Sequence, residues 1–62
     1  MGLQYTFSTV PLKRHREGLT PELDVRELIR EHAGRGFEFV QAIPFESAPS
    51  PHLELVFVRK EQ

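Results

Sequence analysis

Four basic or titratable side chains stand together in the segment VPLKRHREGLTP, residues 10–21. They are Lys13, Arg14, His15 and Arg16. A cationic loop beside the free N–H groups of a helix N-terminus can hold a phosphate or carboxylate. However, Glu22 and Asp24 stand at the start of the helix expected next, and they can satisfy both the N–H groups and the arginines. The run therefore indicates an anion site or, as the favoured interpretation, a loop neutralised by its own helix cap.

The histidines and serines offer a second set of candidates for chemistry. We expect His52 to lie near the basic run, and His32 to lie at the opposite edge of the sheet, near the helix C-terminus. Two histidines are an incomplete set of ligands, so we predict no metal site and interpret all three histidines as solvated. Ser47 and Ser50 lie in a proline-rich loop and are typical of turns. The sequence contains no glycine-rich phosphate loop, and we predict no catalytic residue, no cofactor and no enzyme.

The composition indicates one small domain over residues 1–62 that is only marginally stable alone. A chain of this length buries only about 60% of the surface that its unfolded form exposes. The absence of cysteine excludes a disulfide framework, so oligomerisation is the expected source of further burial. A net charge of −1 disfavours nucleic acid as a partner. The apolar runs are too short for a membrane helix and the first residues lack a secretory signal, so we expect a cytoplasmic protein without membrane contact.

Alternating apolar residues predict three strands, the first of which ends at a proline. The segment after it loses all alternation and is expected to be a loop, and a second loop rich in proline and serine precedes the last strand. The expected elements are a strand over 3–12 ended by Pro11, a loop over 13–20, a helix, a strand over 37–45, a loop over 46–52 and a strand over 53–60.

The helix has two possible starts and two possible ends. Thr20 followed by Pro21 fits an N-cap with proline at the first helical position, whereas Asp24 with Glu27 fits a capping box about one turn later. Glycine commonly takes the left-handed conformation that closes a helix, which places the end at Gly34 or Gly36.

These elements predict an α+β fold of β-α-β-β order, with a three-stranded sheet and one helix on one face. We expect the last strand in the middle, as in half of a ferredoxin-like domain. The helix is expected to cover the aromatic face, which would carry Tyr5, Phe7, Phe37, Phe39 and Phe57, although the reverse assignment stays open. The remaining face would then offer an interface made of Val10, Val40, Ala42, Val56 and Val58.

The segment GRGFEFVQAIP, followed by a short loop and LELVFVRK, resembles the small bacterial family catalogued as domain of unknown function 4177. Members share an opening aromatic strand, a short helix, a Gly-aromatic-Glu-aliphatic-Val strand and a final strand ending in basic residues. The resemblance covers nearly the whole chain. It implies the β-α-β-β fold and supplies no catalytic residues.

An exposed apolar sheet face commonly marks an interface, and an edge strand can pair with another chain. We therefore expect a small homo-oligomeric module that acts through protein contact, with itself and with another protein as partners. The alternative is a small anion or nucleic-acid binder that uses Lys13–Arg16 together with His52.

Overall fold

The computed structural model describes residues 2–61 and has an α+β fold with one helix and an antiparallel sheet. The sheet has four strands rather than the expected three, in the order β2-β1-β4-β3. The elements are β1 (Leu3–His15), β2 (Gly18–Pro21), α1 (Val25–Gly34), β3 (Glu38–Phe45) and β4 (His52–Lys60).

The last strand, β4, is flanked on both sides, as the sequence predicts. It pairs antiparallel with β1 in a continuous register from Leu3↔Lys60 to Pro11↔His52. On its other side it pairs antiparallel with β3, as expected for two strands joined by a short loop. The strands β1 and β3 therefore run in the same direction, each hydrogen-bonded to β4.

The expected loop over residues 13–20 is instead a hairpin. β1 continues through Pro11 to His15, turns at Arg16 and Glu17, and returns as β2, with Leu12 opposite Pro21 and His15 opposite Gly18. The strand passes through Pro11 because the missing N–H falls on the side away from β4. On that side the Pro11 carbonyl accepts a hydrogen bond from the Glu22 N–H at 2.9 Å.

The later of the two predicted helix starts is confirmed. Asp24 is the N-cap, and its carboxylate accepts hydrogen bonds from the N–H groups of Arg26 and Glu27 at 3.1 and 3.3 Å. The Glu27 side chain forms an ion pair with Arg30 at 2.6 Å instead of the predicted capping-box bond to the Asp24 N–H. Pro21 belongs to β2, so the earlier start is wrong.

Both predicted positions take part in the helix end: Gly34 is the last residue of α1, and the left-handed cap is at Gly36. Gly36 has φ 88°, its N–H donates to the Ala33 carbonyl, and the Phe37 N–H donates to the His32 carbonyl. These two bonds and the left-handed glycine define a Schellman motif. Its usual contact across the cap is supplied by the rings of His32 and Phe37, whose centroids lie 6.0 Å apart.

The core is a small cluster between α1 and the centre of the sheet. Val10, Leu55 and Phe57 have no solvent-exposed surface, and they bring β1 and β4 together under the helix. The partly buried residues packed against this cluster are Val25, Leu28, Ile29, Phe37 and Leu53. Three fully buried side chains are few for a domain of this size, so each carries a large share of the stability.

The predicted face assignment is wrong for β1. Tyr5 lies opposite Val58 and Phe7 lies opposite Val56, because the register pairs odd residues of β1 with even residues of β4. Directly paired residues share a face, so Tyr5 and Phe7 lie on the face away from α1, whereas Val10 lies under the helix. The reverse assignment is also wrong, since Phe57 stays on the helix side, with its ring stacked on His32.

A register shift divides the residues of β3 between the two faces. Phe39 lies opposite Phe57, but after the irregularity between Phe39 and Gln41 the pairs are Gln41↔Val56 and Ala42↔Leu55. Beyond this point Ile43 and Phe45 lie on the face away from α1, and Ala42 lies on the helix side. The simple alternation expected across 37–45 is therefore broken at Val40.

A pair of glycine substitutions tests the C-terminal cap. An added Cβ would meet no atom within 4 Å at either Gly34 or Gly36, so the two positions differ mainly in backbone conformation. We expect Gly36→Ala to lower the free energy of unfolding by about 1 kcal/mol, because φ 88° is unfavourable for an L-residue. Gly34→Ala should raise it by up to about 1 kcal/mol. Urea denaturation measures both, and equal effects would contradict the assignment of the cap.

Candidate functional site: the open face of the sheet

The face of the sheet opposite α1, here called the open face, carries a group of large apolar side chains. On β1 these are Leu3, Tyr5 and Phe7, which are 55%, 53% and 59% exposed. The register places Val56 and Val58 of β4 beside them. Phe45, at the far edge, is 41% exposed. Exposed apolar groups of this size commonly mark an interaction surface.

The exposure on the open face is greatest at its β1 border and small at its centre. Val56 lies between Phe7 and Gln41 and is only 6% exposed, although no helix covers this face. Tyr5 and Phe7 have a neighbouring strand on one side only over this part of β1. Much of their exposure therefore reflects a missing lateral neighbour.

The chain is elongated and exposes more surface than a compact domain of its length. Its extents are 46 × 20 × 12 Å, and its radius of gyration of 13.2 Å exceeds the roughly 10.5 Å expected for a compact domain of this length. It exposes 4886 Å², against about 4,100 Å² expected for a folded monomer of this mass. The excess is close to the roughly 800 Å² that one partner buries in a standard protein interface.

The five residues predicted as an interface are distributed over both faces. Val56 and Val58 lie on the open face, and Val40 is 49% exposed at the irregularity in β3. Val10 is fully buried under the helix, and Ala42 lies opposite Leu55 on the helix side. The aromatic residues of β1 were missed, because their face depends on the register with β4.

The basic run lies on the hairpin formed by β1 and β2. Lys13, Arg14 and His15 belong to β1 and alternate between the two faces, whereas Arg16 lies in the turn. All four side chains are exposed. In residues 2–61 the one ion pair is that of Arg30 with Glu27, and Asp24 is engaged with the helix N–H groups. The expected neutralisation of the run by Glu22 and Asp24 is therefore not formed through direct contacts.

His52 lies beside the base of this hairpin. It is paired with Pro11, and its ring stacks on Phe45 with centroids 4.8 Å apart. Its Nδ1–H donates to the Ser50 carbonyl at 2.8 Å. The turn between β3 and β4 also contains Ser47. The structure thus brings His52 to the same end of the sheet as the basic run. His52 lies on the open face there, whereas Arg14 projects to the helix side of the sheet.

His32 is built into the contact between helix and sheet and is not a solvated residue. Its ring stacks on Phe57 with centroids 3.9 Å apart and an interplanar angle of 5°. Nδ1–H donates to the Leu28 carbonyl at 2.8 Å, and Nε2 is hydrogen-bonded with the Ser8 hydroxyl at 3.2 Å. The neutral tautomer with its proton on Nδ1 satisfies both bonds. His32 therefore joins α1 to β1 and β4.

Across residues 2–61, His, Asp and Glu side chains form no group of three that could hold a metal ion. No helix in the described part of the chain combines the length and the apolar character that a membrane span requires.

Comparisons of the chain with protein-family models, with curated proteins and with solved structures found no match. The resemblance to domain of unknown function 4177 therefore stays a prediction.

Substitution of His32 tests its part in the fold. We expect His32→Ala to lower the free energy of unfolding by about 2–3 kcal/mol, because it removes a ring stack and two partly buried hydrogen bonds. His15→Ala, at an exposed position on the hairpin, is the control and should change stability by less than about 0.5 kcal/mol. Thermal or urea unfolding measures both, and similar effects would mean that the His32 contacts contribute little.

Proposed function

We propose that this chain is a small homo-oligomeric interaction module whose apolar open face is buried in self-association. The observation that supports it best is the exposure of Tyr5 and Phe7, each more than half exposed beside Val56 and Val58. Aromatic side chains are enriched in the buried centres of protein interfaces. Exposure of two aromatic side chains to water is unfavourable, and their burial against a partner surface would lower the free energy.

The area of the chain supports a second copy as the occupant. The excess of roughly 800 Å² over a compact monomer is about what each partner contributes to a standard interface. The small core adds a reason for association, since it contains few fully buried side chains. A chain of this size commonly gains the missing burial by oligomerisation.

A double substitution on the open face tests the proposal. Tyr5→Thr with Phe7→Thr keeps good strand formers at both positions and removes the aromatic surface. We expect the wild type to be dimeric or larger at micromolar concentration. In the double variant the dissociation constant should rise at least about a hundredfold. Sedimentation velocity over a concentration series measures this, and circular dichroism checks the fold.

The control is Leu23→Thr, because Leu23 is apolar and 48% exposed but lies outside the sheet. It should leave association unchanged. A wild type that stays monomeric at micromolar concentration would refute the proposed function.

The hairpin supports a second candidate function, the binding of phosphate-bearing ligands. Three permanent cations, Lys13, Arg14 and Arg16, are exposed there and form no ion pair within residues 2–61. The chain as a whole has a net charge of −1, so the positive charge is local. Exposed arginine and lysine without carboxylate partners are able to bind phosphate groups.

A triple substitution separates this candidate from the first. Changing Lys13, Arg14 and Arg16 to Ala should abolish binding to single-stranded RNA and to polyphosphate while leaving self-association unchanged. The control is the triple change of Arg26, Arg30 and Lys60 to Ala, which removes the same charge from exposed positions elsewhere. Fluorescence anisotropy at two salt concentrations measures binding. Equal loss in both triple variants would indicate nonspecific attraction and contradict a site on the hairpin.

Three finer expectations are proposals of the same kind. The order of β1, α1, β3 and β4, with β4 between the other two strands, supports the likeness to half of a ferredoxin-like domain. The segments quoted for domain of unknown function 4177 support membership of that family. A cytoplasmic location is a further proposal, with which the cysteine-free composition is compatible.

A further inference from the structure

We propose that the outer edge of β1 pairs antiparallel with the same edge of a second copy, so that two sheets join into one across a twofold axis at Thr6. This inference rests on the proposed self-association and places the contact at the β1 border of the open face, where Tyr5 and Phe7 lie, rather than across the whole face. It predicts the paired residues, with Leu3 opposite Thr9 of the second copy and Tyr5 opposite Phe7 of the second copy.

The main chain of β1 presents unpaired groups along this edge. The Leu12 N–H donates to the Pro51 carbonyl, and the Gly2 carbonyl accepts from the Glu61 N–H, so even-numbered residues point their main-chain groups toward β4. The β1–β4 register is continuous from Leu3 to Pro11, and main-chain direction alternates along a strand. The odd-numbered residues Leu3, Tyr5, Phe7 and Thr9 therefore direct N–H and C=O away from β4, where the described chain supplies no strand.

The length of the free edge determines the register. β2 covers the outer side of β1 only from Leu12 onward, and the Pro11 carbonyl is already bonded to Glu22. The unpaired segment of the outer edge therefore extends from Leu3 to Thr9. An antiparallel pair centred on Thr6 uses all of it, whereas a shift toward Pro11 would collide with Glu22 of each copy.

The opposite edge of the sheet, β3, is protected against such pairing. It contains a register irregularity between Phe39 and Gln41, a proline at position 44 and an acidic residue at position 38. Bulges, prolines and charged residues are the devices that protect edge strands. Residues 3–10 of β1 have neither proline nor charge and are rich in β-branched and aromatic types. The two edges differ in the way expected if one of them pairs with another chain.

Pairing at β1 also accounts for the pattern of exposure on the open face. In the proposed register, Tyr5 and Phe7 of the two copies become direct cross-strand neighbours, and aromatic pairs of this kind stabilise antiparallel sheets. Each side chain then has strands on both sides, as Val56 already has with only 6% of its surface exposed. The helix leaves room for the second copy, because its backbone approaches β3 more closely than β1.

Nuclear magnetic resonance of the wild type tests the register directly. In a sample that mixes isotope-labelled and unlabelled chains, we expect an intermolecular Hα–Hα contact between Gln4 and Ser8, which lie opposite each other in a narrow pair. Within one extended chain these residues are roughly 13 Å apart, too far for such a contact. The amides of Tyr5, Phe7 and Thr9 should exchange slowly at high concentration and rapidly on dilution, whereas those of Thr6 and Ser8 stay slow in both.

A proline substitution provides the second test. Thr9→Pro removes an outward N–H that the β1–β4 ladder does not use, so each chain should still fold. In the symmetric pair the substitution occurs in both copies, so two intermolecular hydrogen bonds are lost. We expect the dissociation constant to rise at least about tenfold. The control Thr9→Ala keeps the N–H and should associate like the wild type.

The outcomes distinguish this inference from the proposed function. A dimer that lacks the Gln4–Ser8 contact, or that is unaffected by Thr9→Pro, overturns edge pairing and leaves association through the open face standing. A monomeric wild type overturns both. Observation of the contact together with weakened association of a folded Thr9→Pro variant supports the edge pairing.

Discussion

The packing of α1 on the centre of β4 is the interaction on which the rest of the structure depends. β4 is hydrogen-bonded on both sides, and Phe57 at its middle is fully buried beneath His32. The imidazole is hydrogen-bonded both to the helix backbone and to Ser8 of β1, so one side chain connects α1, β1 and β4. Because the core is so small, the arrangement of the other strands depends on this contact and on the hydrogen-bond ladders on either side of β4.

Within residues 2–61, a single helix over a four-stranded sheet leaves one face and two edges unoccupied. One edge is disrupted by an irregularity and a proline, and the centre of the open face is covered by its own side chains. The remaining unsatisfied surface is concentrated along the first half of β1, where outward main-chain groups coincide with exposed aromatic rings. Unpaired main-chain groups and exposed apolar side chains therefore coincide on one segment, the segment through which we propose that a second copy is bound.

The basic hairpin lies outside this arrangement. It is formed by local pairing of β1 with β2 beyond the core, and its charged side chains are exposed on both faces. Since it contributes none of the residues of the core cluster, its charges can change without direct loss of core packing. This separation lets the two proposed functions be tested independently, with association assigned to one half of β1 and anion binding to the other.

Local signals were sufficient for the three long strands, for the presence of the helix and for the central position of the last strand, but they left two possible starts and two possible ends for the helix. Each depends on residues close in sequence or on the rules of chain connection. The hairpin over residues 13–20 was missed because strands exposed on both faces need no apolar alternation. The faces of Tyr5, Phe7, Val10 and Ala42 were decided only by the tertiary structure. Alternation within a strand shows which of its residues share a face. The register between strands decides which of these sets faces the helix, and here odd-numbered residues of β1 pair with even-numbered residues of β4, while the register of β3 shifts at Val40.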